Sequence, residues 1–415
     1  MDRATVDALL AGMIQSADHV SDLVLIEGKT PLVESHGRLQ EFPIDTPGSA
    51  LTSQIVEAMA DYIIDGNERL LSMYAGSGSC DTSYEVPGIA RFRVNIYRHN
   101  AGRALVMRKF PSSIPTLEGL ALPGIFREIL KERNGIILVT GATGSGKTTT
   151  LAAMLNQINQ TEPIHIVTLE DPIEFIYPPA TAAISQRELG RDFESFAQGL
   201  RVALRQAPKA ILIGEIRDRE TMEIAMTASE TGHIVFSTLH TINAGQTINR
   251  ILGFFSRDEE EQVRYRLADT VRYIVSQRLV ASTSGKRLLA TEVIGSSLRT
   301  RESIRYGESE GKTFHEIIEA GSTLGWHSFD QTLLKAYREN LVTEETALFY
   351  CTDRNRMRRD IDLLLKIKGD AEQNAGSGLK MTSSKSTDTA TSVEKPRTTV
   401  IQPRLSKTPV ATAPN

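Results

Sequence analysis

Cysteine is nearly absent from this chain. Cys80 and Cys351 are the only two in 415 residues, far apart and with no Cys-x-x-Cys pair. That scarcity excludes a disulfide framework and a cysteine-based zinc site, and it points to a reducing cytosol. No apolar run approaches the ~20 residues that a membrane-spanning helix needs. The start, Met1-Asp2-Arg3-Ala4-Thr5, shows no secretory leader pattern. Any membrane association is therefore expected to be peripheral or through a partner. Excess charge is missing too. Lys and Arg number 47 against 51 Asp and Glu, a net charge of −4, so nothing draws the whole chain toward nucleic acid. An aromatic–basic stripe suited to a nucleic-acid strand is also lacking.

What is present is a chain that is 40% hydrophobic and 24% charged, enough for packed globular cores. Its length accommodates two domains and a tail. Residues 1–110 read as a small α+β domain. Residues 4–17 have helical spacing, with Leu9, Leu10, Met13 and Ile14 on one side. Leu23–Ile26 and Phe92–Ile96 read as strands, and Ile55 to Leu71 as one helix burying Ile55, Met59, Ile63 and Ile64. Residues 111–123 are a connector rich in turn formers. Residues 124–369 form a second domain whose strands, Ile136–Val139, Ile164–Leu169, Ala210–Ile213 and Ile234–Ser237, alternate with helices. Such alternation predicts a parallel sheet covered on both faces, turning helical from about Val263. Residues 370–415 are read as a tail. From Gly376 its composition becomes Ser, Thr, Pro, Ala and Lys, too poor in apolar surface to offset chain entropy.

The second domain opens with Gly141-Ala142-Thr143-Gly144-Ser145-Gly146-Lys147-Thr148, a complete phosphate-binding loop. Ile136–Val139 leads into it, and a helix beginning Thr149-Thr150 leads out. Small glycines let consecutive N–H groups converge on phosphate oxygens, at the positive end of the following helix. Lys147 reaches the outer phosphates, and the Thr148 hydroxyl is placed to ligate Mg²⁺. No guanine-reading Asn-Lys-x-Asp occurs, which favours ATP over GTP.

Further acids follow. Thr168-Leu169-Glu170-Asp171-Pro172-Ile173-Glu174 closes the next strand, where a parallel sheet binds its ligand. Gly214-Glu215-Ile216-Arg217-Asp218 closes another, at the place of the metal-side acid in phosphate-loop enzymes. His233 and His240 bracket the strand Ile234–Ser237, suited to sensing phosphate or bridging subunits but not to joint metal ligation. Arg91, Arg93, Arg98, Arg103 and Arg108 cluster on the last strands of the first domain. A guanidinium there can neutralise charge developing in phosphoryl transfer, and the sequence does not choose among the five.

The order and spacing of these four segments resemble the secretion-superfamily ATPases, and most closely the type IV pilus retraction ATPases typified by PilT and PilU. The likeness covers roughly residues 5–368. It includes Ser21-Asp22-Leu23, Val86–Asn95, Ser276-Gln277-Arg278-Leu279 and Leu324–Gln331. It implies a PAS-like N-terminal α+β domain and a RecA-like C-terminal domain with a helical end. It implies Glu170 as the water-activating glutamate and Glu215 holding Mg²⁺ partly through water. His233 and His240 would couple nucleotide state to subunit contacts, and residues 141–149 would hold ATP. Arg91, Arg93 and Arg108 would reach the phosphates when the domains close. The implied assembly is a cytoplasmic homo-hexamer, peripheral at the inner membrane through a pilus platform protein.

Three features depart from the family pattern. Arg205-Gln206-Ala207-Pro208-Lys209 stands where Arg-x-Asp-Pro-Asp is usual, which bears on turnover rate. Ser297–Glu308 does not match the Ala-Ile-Arg-Asn-Leu-Ile-Arg-Glu helix of PilT and leans toward PilU. The long tail is extra. The absence of a four-cysteine insert argues against the extension branch. Two further readings stay open: a DotB-like secretion or conjugation ATPase, which shares every catalytic motif, and a PilU-like accessory subunit with weak ATPase activity of its own beside a paralogous motor ATPase.

Overall fold

The computed structural model describes residues 2–100 and 102–376, with side chains described up to residue 367. Residues up to Leu364 form one unit, and Leu365 begins a second.

The first part of the chain builds an antiparallel sheet. Asp2 caps α1 (Arg3–Gln15) by accepting from the Thr5 N–H. The strands are β1 (Val20–Ile26), β2 (Leu32–Ser35), β3 (Arg38–Glu41), β4 (Ser79–Val86), β5 (Ala90–His99) and β6 (Gly102–Lys109), in the order β3-β2-β1-β6-β5-β4. The helix expected from Ile55 to Leu71 is instead two, α2 (Ser53–Ile64) and α3 (Glu68–Ser77). Asp65 and Gly66 take φ of +48° and +69° and stop the first. Asn67 then caps the second by accepting from the Arg69 and Leu70 N–H groups. Along β5, Phe92, Val94 and Ile96 are fully buried in a core shared with Val6, Leu10 and Met59 of α1 and α2. Strand alternation therefore puts Arg91 and Arg93 together on the opposite face.

A seven-stranded sheet follows the connector. Its strands are β7 (Gly135–Thr140), β8 (His165–Glu170), β9 (Ala183–Glu188), β10 (Ala210–Ile213), β11 (Ile234–Leu239), β12 (Val271–Ala281) and β13 (Arg287–Gly295), ordered β13-β12-β7-β11-β10-β8-β9. Every pairing is parallel except β12 with β13. The helices are α4 (Ile125–Ile129), α5 (Lys147–Thr161), α6 (Phe196–Ala203), α7 (Arg219–Glu230), α8 (Ala244–Leu252) and α9 (Glu260–Thr270), then α10 (Leu298–Tyr306), α11 (Phe314–Ala320), α12 (Phe329–Arg338), α13 (Glu344–Tyr350) and α14 (Arg354–Gly376). The segment after Val263 is thus not simply helical. A long hairpin intervenes, and β12 joins the parallel sheet beside β7. Lying inside the sheet it buries residues on both faces, which erases the two-residue alternation a strand usually shows. Val280 and Ala290 of this hairpin share a small core with Phe329, Leu333, Met357 and Ile361 of the last helices. The helix α14 runs past the expected boundary at residue 369, and the rest of the expected tail lies outside the described residues.

The departure at residues 205–209 falls where β10 begins, at the end of the sheet opposite the strand termini that carry the acids. Gln206 O accepts from His165 Nδ1 at 2.9 Å, the Lys209 N–H donates to His165 O at 2.8 Å, and Ala207 sits at φ +51°. Alanine holds that left-handed conformation at a cost that asparagine reduces. Ala207→Asn is expected to stabilise the fold by roughly 0.5 kcal/mol and leave nucleotide turnover at the wild-type rate. Thermal melts alongside a turnover assay check both halves, and a large change in turnover would show that this turn does reach the chemistry.

Candidate active site

Parallel registration brings four strand ends to one edge. β7 runs into the glycine loop, β8 ends on Glu170, β10 leads to Gly214-Glu215, and β11 leads to His240. Between these ends and the first sheet lies a cavity of about 490 Å³. Lys147, Thr148, Glu170, Glu174, Glu215 and Arg93 all line it. Of the loop, Thr143, Gly144, Gly146 and Thr149 also face the cavity.

The loop needs its glycines. Gly141, Gly144 and Gly146 have φ of +147°, +79° and +90°, and a Cβ on Gly141 would lie 2.5 Å from Ser145 Oγ and 2.6 Å from the Gln277 carbonyl oxygen. Lys147 folds back, its Nζ donating to Gly141 O at 2.9 Å and Ala142 O at 3.1 Å. Burial lowers the pKa of its ammonium, while Glu215 and Glu174 oppose that shift. The loop is braced from behind. Thr140 Oγ1 donates to Ser276 Oγ at 3.0 Å, and Gln277 Nε2 donates to Thr150 Oγ1 at 2.7 Å. The Ser145 hydroxyl is buried without a hydrogen-bond partner. With the N-terminus of α5 beside it, that spare hydroxyl fits an anion such as phosphate.

The acids differ in setting. Glu170 is 6% exposed, and its Oε1 accepts from Thr168 Oγ1 at 2.6 Å and from Gln186 Nε2 at 3.2 Å. Burial drives its pKa up to about 7, and those two hydrogen bonds hold it from rising further. Glu174 is also pushed up by burial, with Arg93 and Lys147 pulling it back. Glu215 is paired with Arg217 and lies 3.4 Å from His240 Nε2, while His240 Nδ1 is 3.5 Å from Thr143 Oγ1. The Thr148 hydroxyl and the Glu215 carboxylate both line the cavity, and such hard oxygen donors suit Mg²⁺.

The structure separates residues that the sequence grouped. His233 sits at the opposite end of β11 from His240, where its Nδ1 lies 2.9 Å from Ala228 O and 3.2 Å from Thr231 Oγ1. It does not reach the cavity. Among the five arginines of β5 and β6, Arg93 alone lines it. Arg91 donates to Ile173 O at 3.1 Å and lies over the Phe110 ring. Arg108, although opposite Arg93 in register, is paired with Asp22 at 2.8 Å. Arg98 and Arg103 flank the Tyr74 ring at the other end of β5 and β6.

Comparison with known proteins follows the same lines. A family profile described as "Type II/IV secretion system protein" matches residues 83–340. The chain belongs to that family. It is 40% identical over 319 residues to the "Twitching motility protein" of Neisseria gonorrhoeae, covering 77% of this chain and 83% of that one. It is 38% identical over 327 residues to the "Type IV pilus retractation ATPase PilT" of Pseudomonas aeruginosa, covering 79% and 93%. A solved structure of "the Pilus Retraction Motor PilT and Bound ADP" superposes with a TM-score of 0.75 at 37% identity, covering 84% of this chain and 99% of that chain.

Several residues around the site were not singled out from the sequence. Gln186 and Glu188, two apart on β9, reach the loop after Glu170. Gln186 Nε2 donates to Phe175 O at 2.8 Å and its Oε1 accepts from the Tyr177 N–H at 3.1 Å, while Glu188 Oε2 accepts from the Ile173 N–H at 3.1 Å. Arg287 of the β12–β13 hairpin also lines the cavity. An alternating polar pair on a short edge strand carries no motif, so the one available signal was the two-residue spacing of Gln186 and Glu188.

A carboxyl group titrating near 7 must be ionised to take a proton, so turnover is expected to fall as the pH drops through about 7. Gln186→Met removes a hydrogen bond that favours the ionised form. It should move that acid limb upward by up to about one pH unit. A pH–rate profile of wild type and variant measures this, and an unmoved limb would take Glu170 out of the rate-controlling titration.

Proposed function

We propose that this chain is an ATP-hydrolysing motor that powers retraction of a type IV pilus. One conjunction carries the reading. A phosphate loop, acids ending the two neighbouring strands β8 and β10, and an arginine from the first sheet meet in a single cavity. The chain holding them is similar over most of its length to proteins named for twitching motility and pilus retraction. The motor works as a homo-hexamer on the cytoplasmic side of the inner membrane, docked on a platform protein of the pilus. In support of docking rather than insertion, no helix among the described residues is long and apolar enough to cross a membrane.

In this reading Lys147 and the loop N–H groups bind the phosphates of ATP. Thr148 and Glu215 would hold Mg²⁺. When bound, the ion neutralises charge across the outer phosphates. Glu170 takes a proton from the attacking water, and its raised pKa suits that transfer near neutral pH. Arg93 stabilises charge on the transferred group. His240, between Glu215 and Thr143, senses which nucleotide is present. His233, away from the cavity, takes no part in the phosphate chemistry and keeps the subunit-contact role that the family resemblance implies.

Lys147→Ala should abolish both ATP binding, by titration calorimetry, and hydrolysis. Glu170→Gln should keep binding and lose at least ~10²-fold in turnover, whereas Glu174→Gln should lose less. If Glu174→Gln proves the more damaging, the water-activating role passes to Glu174. At the level of the cell, a deletion strain should lose twitching, and the wild-type gene but not Lys147→Ala should restore it. Normal twitching in the deletion strain would remove the retraction role.

An arginine that meets charge only in the transition state affects rate more than ground-state affinity. Arg93→Ala is therefore expected to lower kcat by about 10²-fold or more while the affinity for ATP changes only slightly. Parallel kinetic and binding measurements on one preparation test this, and equal losses in both would make Arg93 a plain binding residue.

A further inference from the structure

Beside the phosphate cavity, Ile173 is held at both of its backbone polar atoms. Its N–H donates to Glu188 Oε2 at 3.1 Å, and its carbonyl accepts from Arg91 Nη2 at 3.1 Å. The other oxygen of Glu188 accepts from Ser83 Oγ at 2.8 Å. Glu188 is buried and belongs to the second sheet, whereas Ser83 and Arg91 belong to β4 and β5 of the first. Ile173 stands three residues after Glu170 and immediately before Glu174. Glu188 is also the registered partner of Glu170 across the β8–β9 pairing. One short loop between two cavity carboxylates is thus tied to both sheets at a single residue.

Ser83 is in turn the cross-strand partner of Arg93, the arginine that faces the phosphate cavity. The first sheet therefore delivers the arginine and grips the acid-bearing loop through the same pair of strands. Any shift of that sheet which moves Arg93 must also pull on Ile173.

We infer that Ser83, Glu188 and Arg91 are positioning residues, which clamp Ile173 to the first sheet and so set Glu170 and Glu174 in step with Arg93. This reassigns Arg91. Its guanidinium serves the loop carbonyl and the Phe110 face, not the phosphate. The inference rests on the ATPase reading given above, and its test has one readout independent of ATP.

The experiment compares Ser83→Ala, Glu188→Ala, Glu188→Gln, Arg91→Ala, Arg91→Lys and the double variant Arg91→Ala/Glu188→Ala. Amide exchange across residues 171–177, read by mass spectrometry, should quicken in Ser83→Ala, Glu188→Ala and Arg91→Ala whether or not ATP is turned over. A misplaced reacting group costs roughly 10- to 100-fold, so kcat should drop by that order in Arg91→Ala and Glu188→Ala, with KM for ATP within about twofold. Because both variants release the backbone of the same residue, the double should be little worse than either alone. Arg91→Lys should recover most of the lost turnover, since an ammonium can still donate to one carbonyl but cannot reproduce bidentate phosphate binding. If Glu188→Ala fails to fold, Ser83→Ala and Glu188→Gln decide, each with a smaller kcat loss expected in the same sense. The clamp is overturned if exchange across 171–177 is unchanged in Ser83→Ala. It is equally overturned if the Arg91 and Glu188 losses multiply, or if Arg91→Lys is as defective as Arg91→Ala. Turnover by the unaltered protein reports separately on the ATPase reading, so failure of one is not mistaken for failure of the other.

Discussion

Parallel pairing of β7, β11, β10 and β8 is the constraint on which the site depends. In a parallel sheet all strands end at the same edge, so each C-terminal residue meets the others whatever its distance in sequence. Leu239 of β11 registers with Thr140 of β7, and Ile213 of β10 with Leu169 of β8. The residues that follow these positions are Gly141, Glu170, Gly214 and His240. Every central strand is buried on both faces, and shifting one by a residue would reverse its side chains. The same burial that holds the sheet together therefore fixes the catalytic geometry.

Concentrating ionisable groups at that edge has an energetic consequence. Burial raises Glu170 to about 7, and it does the same to Glu292, a β13 carboxyl whose hydrogen bond comes from the Ala244 N–H at the start of α8. A folded-state pKa above the unfolded value means that the native state binds the proton more tightly. The stabilisation from these two groups is complete below the ordinary carboxylate pKa and is lost as the pH rises through about 7. At neutral pH the fold thus carries partly ionised carboxyls that it would hold more favourably as neutral acids. For Glu170 the ionised form is the one that the proposed proton-acceptor role requires. For Glu292 it links α8, which follows the His240 loop, to the hairpin that braces the phosphate loop.

The loop after Glu170 has no regular hydrogen-bonded structure of its own. Its backbone is satisfied by side chains instead. Glu188 takes the Ile173 N–H, Gln186 takes the Phe175 carbonyl and the Tyr177 N–H, and Arg91 takes the Ile173 carbonyl. Buried backbone groups must be paired somewhere, and here the partners come from β9 and from the first sheet rather than from a neighbouring strand. A segment held that way can be displaced by moving its partners, without breaking any ladder.

Local chemistry made much of this legible in the sequence. The glycines at 141, 144 and 146, with Lys147 and Thr148, announce a phosphate loop because that spacing lets the backbone turn through left-handed angles that favour glycine and then present the lysine. Glu170 and Glu215 were readable because they terminate apolar runs of strand length. The sequence could also say that Arg91 and Arg93 share a face, since that follows from strand periodicity alone. It could not say that their guanidiniums diverge, one to a loop carbonyl and one to the phosphate cavity, because that depends on how the two sheets meet. Nor could it place β12, whose burial on both faces hides its period, or break the helix at Asp65, where left-handed backbone is decided by the turn into α3. The separation of His233 from the cavity was contained in its seven-residue distance from His240 along one strand. Which of the two ends faces the phosphates was settled only by strand direction in the folded sheet.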